Sequence, residues 1–223
     1  NLCCEPLLSE TFSEVKPHIE RLFSTYGLPF SFLCDNGNPW GTSQSTGFTN
    51  FEVWLMELGV LTLHGRFIHP QTQGKEESFN RSLKRELLNF HTFYDNAEAQ
   101  SYFDEYRNFY NNTRPHHSLA LDVPAKHYHK SNRAYPEKIK EWEYPKEFML
   151  RKVKSTGYIT FNHQGYYLSE SFGERTIAIK ESSHQDCYDI CYRQFVIARI
   201  NVSKRVFEFK RIYLAENDPR FCN

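Results

Sequence analysis

The sequence predicts an α/β domain that is followed by a smaller all-β domain. As far as Tyr128, short apolar runs alternate with helical patterns, which is typical of α/β proteins. Beyond residue 147 the helical periodicity is lost, and short β-rich runs are separated by turn residues. Short strands at regular spacing predict a small antiparallel barrel.

Composition narrows the possible function classes without choosing among them. The 223 residues are 39% hydrophobic, which is enough to bury a sizeable core. Lys plus Arg and Asp plus Glu are both 27, so the whole chain lacks the basic signature of most nucleic-acid binders, although a local basic groove stays possible. No run approaches a membrane span and no leader pattern is seen, so we expect a cytoplasmic protein without a membrane partner. The six cysteines lack zinc-ligand spacing and are interpreted as buried or idle thiols.

The first helix and strand lead to an acidic residue. A helical pattern ends at Tyr26; it begins either at a capping box that starts with Thr11 or near Ser13, where Pro17 is better tolerated. The apolar run Phe30–Cys34 follows and predicts a buried strand. Asp35 stands at the C-terminal end of this strand, in a turn.

The next helix and strand repeat this arrangement. Thr49 and Glu52 form a capping-box pattern that opens an apolar helix, which we expect to stop at Gly59. Val60–His64 then predicts another short strand. A further helix, capped by Asp95, carries aromatic residues at helical spacing, and we interpret this stripe as core.

An amphipathic helix follows the turn-rich loop that begins at His69. Its apolar stripe consists of Phe79, Leu83 and Leu87, whereas Glu77, Arg81 and Lys84 share the opposite face. The simplest interpretation is an ordinary surface helix with a Glu/Arg pair. Glu76 lies at the angle of the apolar stripe, so it is the poorer candidate for a functional acid.

The domain boundaries follow from these patterns. We predict a core domain over residues 1–130, a charged linker over 131–147 and a β-domain over 148–223. Seven strands are predicted in the last of these: Met149–Lys154, Tyr158–Asn162, Tyr166–Ser169, Thr176–Lys180, Tyr188–Tyr192, Phe195–Ile200 and Val206–Ile212.

Two acids are the candidates for chemistry. Carboxylates that meet from separate elements, as Asp35 and Glu77 would, can hold Mg²⁺, a hard ion that prefers oxygen ligands. A pair of such ions can stabilise the attacking and leaving oxygens of a phosphoryl displacement. For the same reason we do not choose His64 and His69 as metal ligands. Acid pairs at this spacing also occur by chance, so spacing alone does not assign the function.

Four motifs carry a resemblance. They are DNGNPWG (35–41), HPQTQGKEE (69–77), FNRSLKREL (79–87) and YNNTRPHHSL (110–119). In this order they resemble the integrase-core DDE transposases of bacterial insertion sequences, which are relatives of retroviral integrases. Residues 151–174 are similar to the small C-terminal β-domain of one transposase branch. The resemblance implies a ribonuclease-H-like integrase core, here N-terminally incomplete, followed by an SH3-like barrel.

The resemblance also implies a reaction and a cofactor. Family members hold two Asp and one Glu around two Mg²⁺ or Mn²⁺ ions, cut DNA at the element ends and join the freed 3′-hydroxyl to target DNA. Asp35 matches the second Asp and Glu77 the Glu. Residues 1–34 contain no Asp, and Glu5 is not offered as a substitute. We therefore expect a truncated or decayed transposase that binds metal weakly and has little or no activity as given.

DNA is the expected partner, with a homo-oligomer assembled on it. Lys75, Arg81 and Lys84 either neutralise DNA phosphates or only solvate their helix. Arg114 and His117, with His116, either contact DNA or tie their turn to the core. Trp40 either packs beside the acid-bearing loop or stacks on DNA bases.

Two other functions stay open. The chain is alternatively a non-catalytic DNA-binding or transposase-interacting module that acts through its β-domain and the Glu77 helix. A nuclease of the same fold that acts by simple hydrolysis would share the two acids, but it would not account for the other motifs.

Overall fold

The computed structural model of the chain describes residues 1–42, 47–64 and 74–219. The helices are α1 (Phe12–Tyr26), α2 (Asn50–Glu57), α3 (Gly74–Leu83) and α4 (Asn96–Asn112). The strands are β1 (Ser31–Cys34), β2 (Leu61–His64), β3 (Met149–Lys152), β4 (Tyr158–Phe161), β5 (Gln164–Tyr167), β6 (Thr176–Glu181), β7 (Cys187–Tyr192), β8 (Phe195–Asn201) and β9 (Val206–Tyr213). The prediction of a mixed α/β chain is confirmed.

The chain divides into two compact units that do not follow chain order. Unit 1 consists of Asn1–Gly27 and Gly65–Ala134, and unit 2 consists of Leu28–His64 and Tyr135–Asn223. The segment that carries Asp35 therefore belongs to the same unit as the C-terminal strands. The division into domains at residues 131–147 stays a prediction.

Unit 1 is helical. Helix α1 begins at Phe12, and Thr11 at its N-cap makes no side-chain capping bond, so the capping box beginning at Thr11 is not formed. Helix α3 continues into a π-helical turn, Lys84–Leu88. The expected stripe of Phe79, Leu83 and Leu87 is buried with Tyr106 of α4 in one cluster, which explains the helical spacing of these residues.

Two parallel strands open unit 2. Strand β1 pairs with β2 in the register Ser31↔Leu61 to Cys34↔His64, and α2 lies between them in the sequence. The capping box of α2 is formed as expected, with hydrogen bonds in both directions between Thr49 and Glu52. Because the strands are parallel, their C-terminal ends meet at one edge, beside Asp35 and His64.

The seven predicted C-terminal strands are all present. Five of them form an antiparallel sheet in the order β3-β6-β7-β8-β9, and β4 and β5 form a separate hairpin. Within the described residues the order runs from β3 to β9 without closing on itself. The SH3-like barrel and the ribonuclease-H-like core therefore stay predictions.

The core of unit 2 joins the two segments of chain. Val53 and Met56 of α2 and Leu61 of β2 belong to the same buried cluster as Ile177 and Ile197 of the antiparallel sheet. Fully burying side chains of this size stabilises a fold by about 1.5–3 kcal/mol each. The acid-bearing β1–α2–β2 segment is thus held by the C-terminal sheet.

Three of the described cysteines match their interpretation as buried thiols. Cys34, Cys187 and Cys191 are buried, and no disulfide is present among the described residues. Burial raises the pKa of the Cys191 thiol to about 12. Among the helices that the structure describes, none is long and apolar enough to span a membrane.

Candidate functional site

Asp35 lies in a tight turn at the C-terminal end of β1. Its side chain is exposed, and its Oδ1 accepts a hydrogen bond of 3.1 Å from the backbone N–H of Gly37. No ion pair of this carboxylate with a described residue is present. Asp35 therefore presents a carboxylate that is available to a ligand.

The backbone of the Asp35 turn is fixed by His64. The Nδ1 atom of His64 lies 2.9 Å from the carbonyl oxygen of Asp35. A Cβ on Gly41 would lie 2.5 Å from His64 Cε1, so only glycine leaves room for the ring here. The two residues at the ends of the paired strands are thus joined by a direct contact.

Trp40 packs beside this turn. Its ring lies 5.0 Å from that of Phe51 in an edge-on arrangement, and Phe51 is fully buried. Edge-to-face contacts of this kind contribute to packing. The structure thus supports the packing alternative for Trp40.

Glu52 is a buried carboxylate with several partners. It has no exposed surface, and its Oε1 lies 2.9 Å from His64 Nε2 and 2.8 Å from Arg211 Nε. Its Oε2 accepts a 2.7 Å hydrogen bond from the backbone N–H of Thr49. Burial alone would raise the pKa of the Glu52 carboxyl, but the bonds from His64 and Arg211 outweigh burial, and the pKa is lowered.

Both ring nitrogens of His64 face oxygen acceptors. One acceptor is the Asp35 carbonyl oxygen and the other is the Glu52 carboxylate. Both contacts are therefore hydrogen bonds when both nitrogens carry protons. The arrangement links the turn to the buried carboxylate through one side chain.

Glu77 lies in the first turn of α3, in unit 1. Its side chain is exposed, as are those of Lys75, Arg81 and Lys84. None of these three cations forms an ion pair with a residue that the structure describes. They are available to solvent or to an anionic ligand. This exposure is compatible with both alternatives for these cations, contact with DNA phosphates and solvation of the helix.

Arg114 is engaged within unit 1. It donates to the Glu86 carboxylate, and its guanidinium lies 5.6 Å from the centre of the Tyr110 ring. Tyr106 also donates to Glu86, at 3.1 Å. Burial, and to a smaller extent the charge of Glu86, raises the pKa of Tyr106 to about 12. These contacts support the structural alternative for Arg114, whereas His117 is exposed.

The predicted site residues fall in both units. Asp35 belongs to unit 2, whereas Glu77, Lys75, Arg81, Lys84, Arg114 and His117 belong to unit 1. The convergence of Asp35 and Glu77 on a metal ion stays a prediction. Within the described ranges, no group of three or more His, Cys, Asp or Glu side chains could hold a metal ion. His69 lies outside the described residues.

The side chains of Asp35 and Glu77 are of the chemical type that binds a hard divalent ion. Each is an exposed carboxylate, and carboxylate oxygen is the ligand that Mg²⁺ and Mn²⁺ prefer. Mg²⁺ keeps several waters and needs only one or two carboxylates together with substrate phosphate. The donor set is therefore compatible with the cofactor that the sequence predicts.

A basic groove lies on the C-terminal part of unit 2, and the sequence reasoning did not single it out. The groove has a volume of about 460 Å³ and is lined by Arg151, Lys152, Lys154, Tyr158, Thr160, Asn162 and His163. Lys152 pairs with Glu174, and the exposed ring of Tyr158 lies 5.1 Å from that of Tyr167. Cations beside exposed aromatic rings are typical of nucleic-acid binding surfaces.

The sequence reasoning also missed the ion pair of Glu52. In helix α2 the residues on both sides of Glu52 are apolar and buried, namely Phe51, Val53, Trp54 and Leu55. Such neighbours favour burial of Glu52, and a buried carboxylate needs a partner. That signal predicts a partner for Glu52, but it does not identify Arg211.

Comparisons with known proteins agree with the motifs. Residues 58–124 match a family model described as an integrase core domain. The chain is also similar to an insertion element IS476 uncharacterized 39.2 kDa protein from Xanthomonas euvesicatoria, with 32% identity over 99 residues. The aligned stretch covers 44% of this chain and 27% of that protein, so the chain spans about a quarter of the length of the relative.

Proposed function

We propose that this chain is part of an insertion-element transposase and that Asp35 and Glu77 are two of the three metal-binding acids of that enzyme. The proposal is supported by the match of residues 58–124 to an integrase core domain model and by the similarity of the chain to an insertion-element protein. The predicted resemblance to this family is confirmed. In the proposed parent reaction, DNA is cut at the element ends and joined to target DNA. The protein is proposed to act on DNA as a homo-oligomer.

The observation that carries the proposal is the exposure of the Asp35 carboxylate and its place in the fold. Its carboxylate is exposed at the C-terminal end of a parallel strand, and its backbone carbonyl is held by His64. The ends of parallel strands are where α/β proteins commonly place their ligands. Glu77 adds an exposed carboxylate within the matched segment.

The two acids would hold a divalent ion through carboxylate oxygens. When bound, such an ion supplies Lewis-acid stabilisation of charge on phosphoryl oxygens. The protein's own contribution is to fix the Asp35 backbone and to present cations for DNA phosphates on α3. Since residues 1–34 contain no Asp, we propose that this chain alone binds the ion weakly and does not perform strand transfer.

Calorimetric titration of Mn²⁺ tests the assignment. Asp35→Asn and Glu77→Gln should each abolish the binding seen in the unmodified chain. Glu76→Gln removes one carboxylate from the same helix turn and is the matched control, for which binding should be unchanged. The proposal would be contradicted by equal binding in all three variants and the unmodified chain.

The basic groove favours a second candidate function, that of a DNA-binding module without catalysis. Arg151 and Lys154 are exposed cations beside Tyr158, and each phosphate that a cation neutralises adds roughly one to the salt dependence of binding. The full chain is the appropriate protein for this test, because the C-terminal strands share their core with α2 and β2.

Fluorescence anisotropy with labelled DNA at several salt concentrations measures DNA binding by the full chain. Replacing Arg151 and Lys154 by Gln should weaken binding and reduce the slope of log K against log salt by roughly two. Lys138→Gln with Lys204→Gln removes the same charge from exposed positions outside the groove. If both double variants bind equally, the groove is not the DNA site.

A further inference from the structure

A continuous set of contacts connects the Asp35 turn with the last strand of the sheet. The carbonyl oxygen of Asp35 lies 2.9 Å from His64 Nδ1, and His64 Nε2 lies 2.9 Å from Glu52 Oε1. The same Glu52 oxygen accepts a 2.8 Å bond from Arg211 Nε on β9. All four residues lie in unit 2.

The middle of this set is shielded from water. The side chains of Glu52, His64 and Arg211 are 0%, 14% and 18% exposed. Removing one member of a buried ion pair leaves an uncompensated charge, which is strongly destabilising. The pair therefore favours one arrangement of these side chains.

Arg211 is itself fixed by contacts other than Glu52. Its terminal NH2 group donates a 2.8 Å bond to the carbonyl oxygen of Gly47. Its guanidinium lies 4.5 Å from the centre of the Phe48 ring. Because the fork of an arginine is planar and rigid, these contacts hold Arg211 against Gly47 and Phe48, which lie just before α2.

The turn that carries Asp35 is fitted closely against His64. Gly41, at the end of the turn, leaves no space for a Cβ next to the His64 ring. The histidine contacts the backbone of Asp35 and not its carboxylate. The contact can therefore fix where the acid stands without occupying the oxygens that would bind a metal.

We infer that Glu52, His64 and Arg211 are positioning residues, which anchor the Asp35 turn to strand β9. By this inference the C-terminal sheet is a structural part of the acid-bearing site as well as a possible DNA-binding module. That the turn is functional rests on the proposed function, whereas the anchoring itself does not.

Hydrogen–deuterium exchange measured by mass spectrometry tests the anchoring without metal or DNA. In Arg211→Met, the peptide spanning residues 33–42 should exchange faster by roughly tenfold or more, since one partner of a buried pair is lost. Arg199→Met is the matched control: Arg199 on β8 forms a two-bond pair with the buried Asp189, at 2.6 and 3.2 Å. Arg199→Met should leave the exchange rate of the peptide spanning residues 33–42 unchanged.

Two substitutions of His64, each of which keeps one of its two hydrogen bonds, separate positioning of the Asp35 turn from general stability. The amide of Gln can replace Nε2 toward Glu52, whereas the amide of Asn can replace Nδ1 toward the Asp35 carbonyl. His64→Gln should speed exchange of the 33–42 peptide with little change in the melting temperature. His64→Asn should lower the melting temperature, with less effect on that peptide at a temperature where the protein is folded.

The results distinguish this inference from the proposed function. Unchanged exchange of residues 33–42 in Arg211→Met and in His64→Gln would overturn the anchoring, whatever the metal titration gives. Equal acceleration in Arg199→Met would also overturn it, since the effect would then be general loss of stability. Faster exchange in Arg211→Met and His64→Gln, together with no Mn²⁺ binding by the unmodified chain, would support the anchoring. That result would count against the proposed function and not against the anchoring.

Discussion

Arg211, on strand β9, forms a 2.8 Å ion pair with Glu52, which has no exposed surface and lies 159 residues earlier in the chain. This pair joins the acid-bearing segment to the C-terminal sheet. Because His64 links Glu52 to the backbone of Asp35, changes at any of these positions are expected to reach the candidate site.

The first prediction concerns pH. The pKa of Glu52 is lowered in the folded protein from an ordinary value of 4.5, so the unfolded chain takes up a proton first as the pH falls. The stability that Glu52 contributes is therefore present above about pH 4.5 and is lost as the pH falls through the folded pKa. Urea unfolding at pH 7 and pH 4 should show a smaller loss for Glu52→Gln than for the unmodified protein.

The same substitution should be costly near neutral pH. Glu52→Gln leaves Arg211, whose side chain is 18% exposed, without a charged partner, which we expect to lower the free energy of unfolding by about 3 kcal/mol at pH 7. Parallel loss of stability in both proteins between pH 7 and pH 4 would contradict the assignment of this pH dependence to Glu52.

The second prediction concerns the glycine at the end of the Asp35 turn. A methyl group on Gly41 would overlap the His64 ring, so Gly41→Ala should displace His64 and cost about 1–3 kcal/mol of unfolding free energy. At Gly37 the nearest atom to an added Cβ is Asp35 Oδ1 at 3.5 Å, an ordinary contact. Gly37→Ala should be neutral or slightly stabilising, and chemical denaturation of the two variants compares them directly.

The third prediction separates two roles among the cations of unit 1. Arg114 is paired with Glu86, so Arg114→Gln should lower stability by about 1 kcal/mol and leave the salt dependence of DNA binding unchanged. Lys84 is exposed, so Lys84→Gln should leave stability unchanged and reduce the salt slope by roughly one. Thermal melts and anisotropy titrations measure both quantities. A salt slope that falls equally in both variants would assign Arg114 to DNA instead.

Local structure in this chain was predictable where neighbouring residues determine it. The Thr49–Glu52 capping box, the short strands on either side of α2, the apolar stripe of α3 and the seven C-terminal strands follow from short-range patterns. The prediction that the run Phe30–Cys34 is buried was wrong, because Phe30 and Leu33 are exposed. Thr11 did not form the capping bond that its spacing allows, since a cap also depends on the side chain turning toward the helix end.

Tertiary partners were not predictable from those patterns. Nothing in the sequence near Glu52 names Arg211 as its partner, because the two meet only when α2 packs against the antiparallel sheet. The basic groove was missed for a similar reason. Its three cations, Arg151, Lys152 and Lys154, are a short cluster in the sequence, and they form a groove only together with residues of β4 and the turn that follows it.

The central claim, that Asp35 and Glu77 hold one divalent ion, is tested most directly by iron-mediated cleavage. Fe²⁺ bound in place of Mg²⁺, with ascorbate and peroxide, should cut the chain near both residues 35 and 77. Both cuts should disappear together in Asp35→Asn and in Glu77→Gln, and both should persist in Glu76→Gln. Cuts near only one of the two acids, or two cuts that respond independently to the substitutions, would contradict a shared site.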